Sequence, residues 1–68
     1  MAATTPTKTW RERVDRWISA ARDSRDVATL RSQADWFDRI RPRLTAVSDA
    51  DRADMAADLR TTLAELGA

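Results

Sequence analysis

The sequence predicts an all-α fold, a small up-down-up three-helix bundle. Three observations predict it. Apolar residues recur at helical spacing in three separate stretches. Capping residues and breakers divide those stretches. No run shows the alternation of a half-buried strand. Short connections between helices imply antiparallel neighbours. The rival arrangement is a helical hairpin that dimerises into a larger bundle.

Residues 1–8 are small and polar and include Pro6. They read as a disordered lead-in, leaving 9–68 as a single helical domain. "TWRE" then offers Thr9 as an N-cap with Glu12 three residues on, the pattern of a capping box. Trp10, Val14, Trp17, Ile18 and Ala21 build one helical stripe. Arg11 with Asp15, and Glu12 with Arg16, have the i,i+4 spacing of surface ion pairs. The first helix is expected over about 10–22.

"RDSRD" interrupts it, and Asp23 or Ser24 is the expected cap of the second helix. The apolar set there is Val27, Leu30, Ala34 and Phe37, joined by Leu44 if the helix runs on, with Trp36, Ile40 and Val47 to one side. Pro42 lacks an N–H and disfavours helical geometry at Arg41. The second helix, 24–41, therefore ends near 41, or kinks at Pro42 and continues to 46.

"SDAD" gives Ser48 as the third N-cap, with Asp51 three positions on. Asp49 and Asp51 suit the positive end of the helix dipole. Met55, Leu59, Leu63 and Leu66 make the inner stripe, with Ala50, Ala53, Ala57 and Ala64 as a shoulder beside it. That shoulder suits close packing on the first helix or a seam with a second copy. Gly67 marks the stop. The third helix is expected over 49–66.

Adjacent Trp36 and Phe37 raise a question of placement, because neighbours on a helix point about 100° apart. The apolar arc of the second helix runs from Trp36 through Ile40 and Leu44 to Phe37, Leu30 and Val27. It is wide enough to meet two neighbours. Trp36 is then either the flank of a two-sided core or an exposed anchor. Trp and Arg are enriched at binding hot spots, and Arg39, Arg43 and Gln33 lie near Trp36 in the sequence. The same question applies to Trp10. Trp17, between Val14 and Ile18, reads as core.

The chain has 68 residues, neither Cys nor His, and a net charge of +1. Disulfide and thiolate staples are therefore absent, and the core of so short a chain is marginal. The charge is uneven: residues 8–22 carry +3, 23–44 carry +1 and 45–68 carry −3. These halves can neutralise each other inside one bundle or between copies. Eleven of the twelve basic residues are Arg, and Ala and Asp are abundant, which points to a GC-rich bacterial or phage genome.

Catalysis lacks its usual groups. Without His, Cys or Tyr, frequent acids, bases and nucleophiles are missing. The "DADRAD" stretch resembles the opening of a calcium loop but lacks its Gly and closing Glu. No catalytic residue, metal, cofactor or small-molecule substrate is expected. A surface helix on lipid would place Trp10, Trp17 and Ile18 downward, but Glu12 and Asp15 on its polar face oppose that. No run approaches a membrane span and none resembles a targeting segment, so the cytoplasm is the expected location.

The leading expectation is a non-enzymatic interaction module that docks on a larger protein or self-associates, an adaptor or oligomer-forming protein. Trp10, Trp36, Arg39 and Arg43 are its expected partner-binding residues. The alternative is a small regulator that binds DNA or RNA through Arg39, Arg41 and Arg43, with affinity falling steeply in salt. A further alternative is an accessory subunit of a multi-protein complex.

Overall fold

Pro6 opens the first helix instead of belonging to a lead-in. The computed structural model describes residues 5–67, and α1 runs Thr5–Ser24. Pro is favoured in a first turn, where its missing N–H has no intrahelical partner to lose. Residues 5–8 are therefore helical, and residues 1–4 lie outside the described residues. Thr9 is inside the helix and not its cap.

The turn after α1 is set by Arg25, whose φ is 58°. This left-handed residue ends the helix in the way Gly or Asn usually does. Ser24 donates back to the Ala20 carbonyl at 2.8 Å and stays within α1. The cap of α2 (Val27–Ile40) is Asp26, not Asp23 or Ser24. Its carboxylate accepts the Thr29 N–H at 3.1 Å and the Thr29 hydroxyl at 2.6 Å. A helix that continues through Asp23 and Ser24 leaves only Asp26 placed to receive those bonds.

α2 ends at Ile40, and a single 3-10 turn, Arg41–Arg43, follows. The Arg41 N–H still bonds to the Phe37 carbonyl, but Pro42 has no N–H for the next. The α-helix therefore does not continue to 46. α3 runs Asp49–Glu65 as expected, one residue short of 66. Ser48 accepts the Asp51 N–H at 3.2 Å and donates its hydroxyl to the Asp51 carboxylate at 2.9 Å. Gly67 supplies the positive φ of the stop, 87°.

Val14 and Ala21 from α1, Leu30, Ala34 and Phe37 from α2, and Met55, Ala56, Leu59 and Leu63 from α3 form the buried core with Val47. Leu66 packs half-buried against it. The alanine shoulder points the other way: Ala50, Ala53, Ala57 and Ala64 are all exposed. Ala56 and Thr62 take the buried places beside the stripe. Thr62 is accommodated because its hydroxyl donates to the Asp58 carbonyl one turn back.

Side-chain pairings fix the helix directions. Arg11 meets Asp58 and Arg22 meets Glu65, so α1 and α3 run parallel. Trp10 near the start of α1 meets Trp36 and Phe37 near the end of α2, while Ala20 and Ser24 at the end of α1 share a concavity with Thr29 at the start of α2, so α1 and α2 are antiparallel. Arg52 near the start of α3 donates to the Arg41 carbonyl at the end of α2, so these two are antiparallel as well. The up-down-up three-helix bundle follows. Its extents are 37 × 21 × 14 Å. No helix among the described residues is long and apolar enough to cross a membrane.

Candidate functional site

The three seams of the bundle are closed by different chemistry. Arg11–Asp58 and Arg22–Glu65 clamp α1 to α3. The basic front of the chain thus meets its acidic back within one molecule. The expected pairs Arg11–Asp15 and Glu12–Arg16 do not form; Arg11 reaches across the seam instead, where a carboxylate on another helix is closer. The Asp58 hydrogen bond, the largest influence, raises the Arg11 pKa above its ordinary value. Arg60–Asp38 ties α3 to α2, with Arg41 also beside Asp38 at 3.8 Å. Arg52, bonded to both Asp49 and the Arg41 carbonyl, pins the 3-10 turn.

The α1–α2 seam has no ion pair among the described residues. Aromatic rings fill it. Trp10 lies 5.8 Å from Phe37, edge to face, and 6.0 Å from Trp36 at a tilt of 35°. Trp17 meets Trp36 edge to face at 6.1 Å. These distances lie in the range where aromatic pairs attract beyond simple burial. Phe37 is fully buried, Trp10 and Trp17 are half-buried, and Trp36 is 41% exposed. Trp17 therefore belongs to the edge of the core and not its centre. Trp36 is the one large apolar side chain left exposed among the described residues.

Several arginines of α1, α2 and the 3-10 turn have no carboxylate partner among the described residues. The Arg13 guanidinium sits over the Trp10 ring, 4.8 Å from its centroid, within cation–π range. Arg39 is three residues beyond Trp36 on α2, and Arg43 closes the 3-10 turn. Both are exposed and form no ion pair. Arg41, grouped with them for nucleic-acid binding, is half-buried and leans on Asp38. Arg11 and Arg22 are likewise taken up by α3. The structure thus brings Trp10 and Trp36 into contact and leaves Arg39 and Arg43 free. It does not assemble Arg39, Arg41 and Arg43 as three free cations.

Two concavities lie among the described residues, one of them at this face. One, of about 60 Å³, continues the α1–α2 seam beyond Trp17 and is lined by Ala20, Ser24, Thr29 and Gln33 among others. The other, an open hollow of about 310 Å³, lies between the 3-10 turn and the start of α3. Its Arg52 and Asp49 are already bonded to each other. Among the described residues no group of three or more carboxylates is placed to hold a metal ion. In "DADRAD", Asp49 pairs with Arg52 and Asp51 with Ser48.

Trp17 and Arg13 are the members that reasoning from sequence missed. Arg13 stands three residues after Trp10 and four before Trp17. That spacing places all three along neighbouring turns of one helix flank, which was the available signal. Set against known proteins, the chain matches no protein-family model, no curated protein and no solved structure.

Proposed function

We propose that the chain is a non-enzymatic docking module whose contact surface is the α1–α2 face, with Trp36 as anchor. The observation that carries this reading is the position of the exposed Trp36 ring. It sits on the one seam without ion pairs among the described residues, flanked by Trp10 and Trp17, with the Arg13 guanidinium over Trp10 and the unpaired Arg39 three residues further along α2. An aromatic anchor held by its neighbours loses little freedom on binding, and Arg at the rim supplies directional bonds. The absence of His, Cys and Tyr from the sequence supports a role without chemistry of its own. An adaptor and an accessory subunit of a larger complex both use such a face. The Arg, Ala and Asp-rich composition supports a bacterial or phage source, and we place the module in the cytoplasm.

The test uses a photoreactive benzophenone residue in place of Arg39, with the same residue at the exposed Thr61 on α3 as control. Crosslinking is done in the source cells. Docking through this face gives one protein product from position 39 and none from position 61, and Trp36→Ala removes it. Equal products from both positions, or none from position 39, overturn the reading.

A further inference from the structure

We draw no further inference here: the strongest candidate, the apolar patch around the exposed Trp36 ring at the α1–α2 seam, belongs to the docking face already described, and nothing in the structure shows what covers it.

Discussion

Trp17 meets Trp36 edge to face across the α1–α2 seam, with ring centroids 6.1 Å apart and planes at 72°. Trp10 holds the same Trp36 ring from a second direction. The ring is therefore fixed in place while 41% of its residue surface still meets water. Its neighbour Phe37 is fully buried. One helical step separates a core residue from an exposed one.

Urea denaturation should separate these two neighbours. Phe37→Ala removes a fully buried ring and is expected to cost about 3–5 kcal/mol. Trp36→Ala loses partial burial and two ring contacts, about 2 kcal/mol. Equal losses would mean that Trp36 carries the fold as heavily as Phe37 does.

Arg25 sits in the left-handed region at φ 58°. A side chain there costs about 1–2 kcal/mol, part of which Gly returns through its freer unfolded chain. Arg25→Gly should raise the melting temperature by a few degrees, whereas Arg25→Ala should not. A melt in which both variants behave alike would contradict this origin of the turn.

Asp26 accepts the Thr29 hydroxyl and, secondarily, the Thr29 N–H, and both lower its pKa below the ordinary value. The folded state thus favours the carboxylate more than the unfolded chain does. The cap's contribution is complete above the unfolded pKa, about 3.9, and disappears as pH falls through the lower folded value. Thermal melts from about pH 5 to about pH 2 should therefore fall less steeply for Asp26→Asn than for the native chain.

The Arg11–Asp58 pair is exposed, with side-chain exposures of 38% and 51%. Solvent screening limits such a pair to about 0–1 kcal/mol. Asp58→Asn should cost no more than that, and the difference should shrink in about 1 M salt. A salt-independent loss would assign the residue a packing role instead.

The third helix was the most legible part of the sequence. Ser48, the Met55–Leu59–Leu63 stripe and Gly67 each have one structural use, and each takes it. The first two helix starts were not legible in the same way. Thr9 with Glu12 satisfies the capping pattern as well as any true cap does, and only packing of α1 decides that the helix begins before it. "RDSRD" offers Asp23, Ser24 and Asp26 as caps, and the left-handed Arg25 chooses among them. The alanines of α3 suit either face because a methyl group costs little exposed or buried. For the candidate site, the spacing set Trp36 at the edge of its arc. It did not reveal that Trp10 and Trp17 brace the ring, because that depends on how α1 and α2 align across their seam.

The account's central claim is that one chain closes its own core and leaves the Trp36 face to a different protein. Sedimentation equilibrium over a wide concentration series tests it most directly. The account predicts a single species of 7.7 kDa throughout. A mass that doubles with concentration, and returns to the monomer value in Trp36→Ala, would contradict it by making the face a seam between copies.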